Sequence, residues 1–119
     1  MSVASVEQMP SAVVVRVLAR QLGKSEVDAL CNSTDEARAN APALPFVIDM
    51  RDVDHAGSLA MGVLVGLNKE FRGRGQRLIF AGLQENVRKA FLTMHLGKVL
   101  EFATNVPAAL QSVQGSATV

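Results

Sequence analysis

The run Phe46-Val-Ile-Asp-Met50 constrains the fold of this chain more than any other segment. Its side chains are apolar on both faces up to Asp49, whereas a strand with one solvated face alternates apolar and polar residues. The pattern is typical of a central strand that other elements cover on both sides. An acidic loop follows, and apolar residues at helical spacing then predict a helix from Ser58 to about Arg72. The sequence therefore predicts a strand–loop–helix unit of an α/β domain.

Strand-like and helix-like segments alternate along the rest of the chain. Three further apolar runs predict strands, at residues 13–18, 77–81 and 100–102. The first of these runs is the richest in β-branched residues, which favour strands. Apolar spacing predicts three further helices, one capped by Ser25, one over residues 84–94 that buries Met94, and one from the cap Asn105 to about residue 113. Because the links are short, we expect an α/β sandwich with a mixed, mostly parallel sheet of about four to five strands and about four helices.

The 119 residues suffice for one small domain with a single core. We expect this domain at residues 12–113, with a polar lead-in at 1–11 and a small-residue tail at 114–119 that both fray. No signal peptide is predicted, because Glu7 and Pro10 interrupt the N-terminal stretch, and no apolar run is long enough to span a bilayer. Cys31 is the only cysteine in the sequence, which favours a reducing compartment. The expected protein is cytoplasmic, without membrane insertion.

The charge balance argues against nucleic acid as a partner. Twelve basic and eleven acidic residues give a net charge of +1, which creates no strong field toward nucleic acid or anionic lipid. The sequence has no Trp and no Tyr, so a stacking platform for single strands is not expected either. Arg72, Arg74 and Arg77 surround glycines in what reads as a solvated turn.

Four polar side chains, Asp49, Asp52, Asp54 and His55, cluster at the C-terminal end of the central strand. Ligands gather at this end of open α/β sheets, and such a cluster could bind a divalent cation or accept a phosphoryl group. The strand is similar to the phosphoacceptor strand of response-regulator receivers. That class also needs an acidic pair after its first strand, where this chain has Leu18-Ala-Arg-Gln. Solvation of the strand end is therefore the favoured interpretation, and no metal or cofactor is expected.

No catalytic set can be assembled from the sequence. His55 reads as a loop histidine, His95 lies on another element, and no nucleophile is spaced for a triad with either. We therefore expect that the chain is not an enzyme.

Ser58 has two interpretations. As the N-cap of the predicted helix it would satisfy one backbone donor, which is worth about 1 kcal/mol. As a phosphoacceptor it would place about two negative charges at the helix start and change how a partner docks. The pattern favours the cap, because capping serines greatly outnumber regulatory ones.

A second face of the predicted helix carries candidate partner contacts. At 100° per residue, Met61 and Val65 fall on the outward side, beside Gly62 and Gly66. Exposed Met and Val over small residues would suit a partner helix. The equal alternative is that a neighbouring element of the same domain covers them. The opposite, core-facing stripe is Ala60, Val63, Leu64, Leu67 and Phe71.

The stretch Val53-Asp-His-Ala-Gly-Ser-Leu-Ala-Met-Gly-Val-Leu-Val-Gly-Leu67 resembles the core of the STAS family, whose pattern around its switch is roughly D-S-S-G-L-G-V-L-L-G-L. The later Gly75-Gln-Arg-Leu-Ile-Phe-Ala-Gly-Leu83 agrees in order and spacing, and the resemblance covers about residues 12–113. It implies a STAS-like sandwich. In the family's anti-sigma-factor antagonists, a kinase-like anti-sigma factor phosphorylates the second serine of D-S-S-G. Here that position is Leu59, which has no hydroxyl, so the phosphoacceptor role does not carry over.

The resemblance implies a non-catalytic module that docks a kinase-like anti-sigma factor without phosphorylation at the usual site. The alternatives are a scaffold subunit of a multi-STAS sensory assembly, with another STAS protein or a second copy as partner, and a soluble adaptor of an anion or lipid transporter. Ser58 is the remaining phosphorylation candidate. The predicted partner-binding residues are Asp52, Asp54, His55, Gly57, Ser58, Leu59, Met61, Gly62 and Val65.

Overall fold

The central strand predicted from the sequence is present in the computed structural model, which describes residues 3–117, with side chains for residues 3–113. Strands and helices alternate along this part of the chain, and a 3₁₀ turn at Leu96–Lys98 precedes the last strand. In chain order the elements are β1 (Ala4–Gln8), β2 (Val13–Val17), β3 (Gln21–Leu22), α1 (Lys24–Asn40), β4 (Phe46–Asp49), β5 (His55–Ala56), α2 (Ser58–Gly73), β6 (Leu78–Ala81), α3 (Glu85–Thr93), β7 (Glu101–Ala103) and α4 (Val106–Ala117).

The main sheet has five strands in the order β1-β2-β4-β6-β7. Only β1 is antiparallel to its neighbour, and the other pairs are parallel. In the register across the centre, Val13 lies opposite Phe46, which lies opposite Leu78. A second, two-stranded parallel sheet joins β3 to β5. The predicted α/β sandwich with a mixed, mostly parallel sheet is therefore confirmed.

Helices cover both faces of the sheet, as the doubly apolar β4 requires. On one face α1, α2 and α3 pack on the strands, and the buried residues of this layer include Leu30, Phe46, Ile48, Leu64, Phe80 and Phe91. On the other face α4 covers a smaller layer that includes Val14, Val47, Ile79, Ala109 and Val113. No helix within residues 3–117 is long and apolar enough to cross a membrane.

The two ends of the chain differ from the prediction. Residues 4–8, expected to be part of a fraying lead-in, form β1 and pair with β2. Four of these five side chains are exposed, so the segment carries no apolar pattern from which a strand could be read. At the other end α4 continues to Ala117, through most of the segment expected to be a tail. Residues 118–119 of that predicted tail lie outside the described residues.

The predicted N-cap at Ser25 is wrong. Helix α1 begins at Lys24 with Gly23 as N-cap, and Glu26 Oε1 accepts a hydrogen bond from the Gly23 N–H at 3.0 Å. The Ser25 hydroxyl instead donates to Glu26 Oε2 at 2.6 Å. Glu26, and not Ser25, therefore makes the side-chain hydrogen bond to the backbone at the start of α1.

Two other predictions concern the end of α3 and the start of α4. Met94, predicted to be buried, is exposed because α3 ends at Thr93 and Met94 follows as its C-cap. At α4 the predicted cap is confirmed, since the Ala108 N–H donates to Asn105 Oδ1 at 2.8 Å.

Candidate functional site

The loop of residues 50–57 joins β4 to α2 and includes the two-residue strand β5, so His55, which was predicted to be a loop histidine, lies in a short strand. Two ion pairs hold this loop beside the end of β2. Arg16 Nη2 lies 2.9 Å from Asp52 Oδ2, and Arg20 Nη2 lies 2.9 Å from Asp54 Oδ2. The Asp54 N–H also donates to the Arg20 carbonyl at 2.7 Å. Partly exposed pairs of this kind contribute only about 0–1 kcal/mol each to folding. Their main effect is to fix the path of the loop.

The three aspartates at the end of β4 and in the loop after it do not form a shared cation site. Asp49 is buried, and its Oδ2 lies 3.1 Å from Arg51 Nε while its Oδ1 accepts the Arg51 N–H at 3.2 Å. Asp52 and Asp54 each have their own arginine. Within residues 3–117 no group of three His, Cys, Asp or Glu side chains is arranged to hold a metal ion. A separate guanidinium pairs with each carboxylate. This arrangement favours the interpretation that the acidic residues solvate the end of the strand over a shared cation site.

The start of α3 holds the same loop from the other side. Gln84 Nε2 donates to the Arg51 carbonyl at 3.0 Å, and Asn86 Nδ2 donates to the Asp54 carbonyl. The loop is therefore bonded to both β2 and α3 before any partner arrives. A loop held in one conformation in advance loses less conformational entropy on binding.

Helix α2 begins at Ser58 as predicted, but Ser58 is not its N-cap. The N-cap is Gly57, with extended φ of −77° and ψ of 168°, and its carbonyl accepts the Met61 N–H at 3.0 Å. Ser58 is the first helical residue, and it is exposed. Its hydroxyl has no hydrogen-bond partner among the side chains and backbone of residues 3–113. The capping interpretation of Ser58 is thus wrong, and no hydrogen bond gives its hydroxyl a structural role.

The core-facing stripe of α2 is wider than predicted. Met61 is only 2% exposed, and Val65 is partly buried against the same hydrophobic cluster. Because both side chains pack in the cluster that α2 shares with the sheet and the neighbouring helices, elements of the same domain cover the flank that was expected to face outward. The prediction of Met61 and Val65 as an exposed docking strip is therefore wrong, and the alternative of intramolecular burial is correct.

The exposed face of α2 is rotated toward Leu59, Gly62 and Gly66, which we call the Leu59 strip. Leu59 is 60% exposed, more than any other large apolar side chain within residues 3–113. Gly62 and Gly66 are exposed, and a Cβ added at either would meet no atom within 4 Å. The exposed Leu59 side chain thus lies next to two glycines, where the surface of the helix carries no side chain. Loop residues Asp52, Asp54, His55 and Gly57 lead directly into this strip.

The family model of the STAS domain matches residues 4–109. The chain belongs to the STAS family. No curated protein sequence matches it. Three similar solved structures agree in fold over nearly the full length of both chains.

The first of these structures is a variant of RsbS from Moorella thermoacetica, at 14% identity and TM-score 0.81, covering 98% of this chain and 98% of that one. The second is the anti-sigma-factor antagonist SpoIIAA in its unphosphorylated form, at 21% identity and TM-score 0.76, covering 94% and 96%. The third is a chain of the stressosome, at 14% identity and TM-score 0.75, covering 97% and 100%. The chain is therefore a STAS domain that resembles anti-sigma-factor antagonists.

Proposed function

We propose that this STAS domain is a non-catalytic protein-binding module that docks a kinase-like anti-sigma factor through the loop of residues 50–57 and the Leu59 strip. The observation that carries the proposal is the exposed Leu59 side chain. Single exposed apolar residues are common on protein surfaces. Leu59 differs because Gly62 and Gly66 leave room beside it for the close approach of a partner.

The position of Leu59 also supports docking that phosphorylation does not control. The resemblance aligns Leu59 with the serine that carries phosphate in the family's switchable antagonists, and leucine cannot accept phosphate. Covering a leucine fully is worth about 1.5–3 kcal/mol, whereas a phosphate would add about two negative charges at the same point. We infer a constitutive antagonist, with affinity that does not depend on ATP.

Ser58 is the remaining place where phosphate could act. It is exposed at the first turn of α2, where the helix dipole favours negative charge. In the proposed function Ser58 does not accept phosphate. Incubation with ATP and the kinase-like anti-sigma factors of the source organism should leave the chain without phosphate by mass spectrometry. Phosphate on Ser58 would show instead that the switch has moved by one residue.

Titration calorimetry of the wild-type chain and Leu59→Asp against those anti-sigma factors tests the docking surface. An aspartate in the first turn of α2 is favourable to the helix, so loss of binding could not be assigned to unfolding. We expect Leu59→Asp to weaken binding at least about tenfold, the equivalent of 1.4 kcal/mol. Leu92→Asp is the matched control, because Leu92 is also an exposed helical leucine but lies on α3. Equal affinity of wild type and Leu59→Asp would refute the proposed surface.

A second candidate function is a scaffold subunit of a multi-STAS assembly, which the likeness to a chain of the stressosome supports. In that case the partner would be another STAS domain or a second copy of this chain. Multi-angle light scattering of the purified chain discriminates the two functions. A monomer that captures an anti-sigma factor supports the antagonist, whereas stable self-association without such capture supports the scaffold.

A further inference from the structure

An open cavity of about 600 Å³ lies at the β7 edge of the main sheet, between α3 and α4. Its apolar walls come from four elements or their ends, through Leu83, Leu92, Phe102 and Ala108. Sites for small molecules are typically clefts of about 300–1,000 Å³, so the volume is suitable. None of its lining residues belongs to the loop of residues 50–57 or to the Leu59 strip.

One positive charge at this cavity is not neutralised by the protein. Arg88 lines the cavity, and its guanidinium makes no ion pair or hydrogen bond with any side chain or backbone atom of residues 3–113. The other charged group of the lining, Glu101, already accepts hydrogen bonds from Arg77 Nε at 2.9 and 3.1 Å. That hydrogen bonding raises the pKa of Arg77 above its ordinary value, so this guanidinium keeps its positive charge beside Glu101. The free charge of the cavity is therefore a single cation.

We propose that this cavity binds a small apolar carboxylate, with the carboxylate on Arg88 and the apolar body against Leu83, Leu92 and Phe102. A guanidinium presents paired N–H donors that match the two oxygens of a carboxylate. One free cation suits one negative charge better than the two of a phosphate monoester. The apolar body would cover Leu92, which is 49% exposed in the free chain. This site is independent of the proposed docking function.

Two-dimensional amide NMR of the full chain tests the site with 2-naphthoate and its uncharged analogue 2-naphthalenemethanol as probes. We expect saturable shifts on 2-naphthoate addition that concentrate at the amides of residues 83, 92, 102 and 108. Arg88→Gln should weaken 2-naphthoate binding about tenfold or more, because a charge-assisted hydrogen bond is lost, and should leave the uncharged analogue unaffected. Lys89→Gln is the control, because Lys89 is the neighbouring cation on α3 but does not line the cavity.

A second variant closes the cavity without touching its charge. Ala108→Leu places three further carbons into the space and should abolish binding of both probes while the spectrum stays folded. Three results would each overturn the proposal. The first is the absence of saturable shifts up to about 5 mM probe, a concentration that would still detect weak, millimolar binding. The others are shifts centred on other residues, and equal affinity of wild type and Arg88→Gln for 2-naphthoate.

Discussion

Truncation at two positions on α2 should cost very different amounts of stability, although the positions are only two residues apart. Met61 is 2% exposed and Leu59 is 60% exposed. Met61→Ala removes three buried heavy atoms, which at about 0.8 kcal/mol each amounts to about 2.4 kcal/mol of transfer free energy. The cavity left behind adds to this, so we expect a loss of about 3 kcal/mol in the free energy of unfolding. Leu59→Ala removes atoms that are mostly in water already, and its cost should be no more than about 1 kcal/mol.

Urea denaturation followed by circular dichroism measures both changes on one scale. Because neither substitution should alter the surface exposed on unfolding, the slope of free energy against urea should stay the same in all three proteins. The Met61→Ala midpoint should fall well below that of Leu59→Ala, which should stay near wild type. If Leu59→Ala destabilised the chain as much as Met61→Ala, Leu59 would be part of the core. The assignment of Leu59 to a docking surface would then be untenable.

Three further predictions concern the acceptor position, a turn and the thiol. Leu59→Ser should gain ATP-dependent phosphate from a kinase-like anti-sigma factor, as mass spectrometry would show; no phosphate on the variant would mean that the site does not present residue 59 to a kinase. Gly82→Ala should cost about 1–2 kcal/mol in urea denaturation, because Gly82 has φ of +73° and L-residues are strained there; an unchanged midpoint would contradict this. Burial raises the pKa of the Cys31 thiol to about 11, from an ordinary 9.0. Native Cys31 should therefore react with iodoacetamide at pH 8 about 100-fold more slowly than the unfolded chain, and equal rates would refute it. Because the unfolded state gives up this proton first, the thiol should also lower stability as pH rises from about 9 to about 11.

Local patterns predicted the parts of the fold that local interactions determine. The doubly apolar run at residues 46–50, the start of α2 at Ser58 and the cap at Asn105 all depend on neighbouring residues, and all three are present. Strand β1 could not be read in the same way. Its side chains are mostly exposed, and it forms because its backbone pairs with β2.

The candidate site depended on contacts between distant parts of the chain. The outward side of α2 could not be placed from helical spacing alone, since its packing against the rest of the domain decides that Met61 is buried and Leu59 is not. The arginine partners of Asp52 and Asp54 lie 36 and 34 residues earlier in the chain. The bond from Asn86 to the loop spans 32 residues. No spacing rule connects such pairs, although the two arginines near the end of β2, Arg16 and Arg20, were a sequence signal for pairing with the acidic loop.

Amide hydrogen exchange of this chain, alone and in complex with a captured kinase-like anti-sigma factor, tests the central claim most directly. The measurement compares protection at every amide of the same protein, so it locates the docking surface without any substitution. The account predicts new protection over residues 50–66, in the loop and the first turns of α2, with the exposed edges of β1 and β7 unchanged. Protection confined to β1 or β7, with residues 50–66 exchanging as in the free chain, would contradict it.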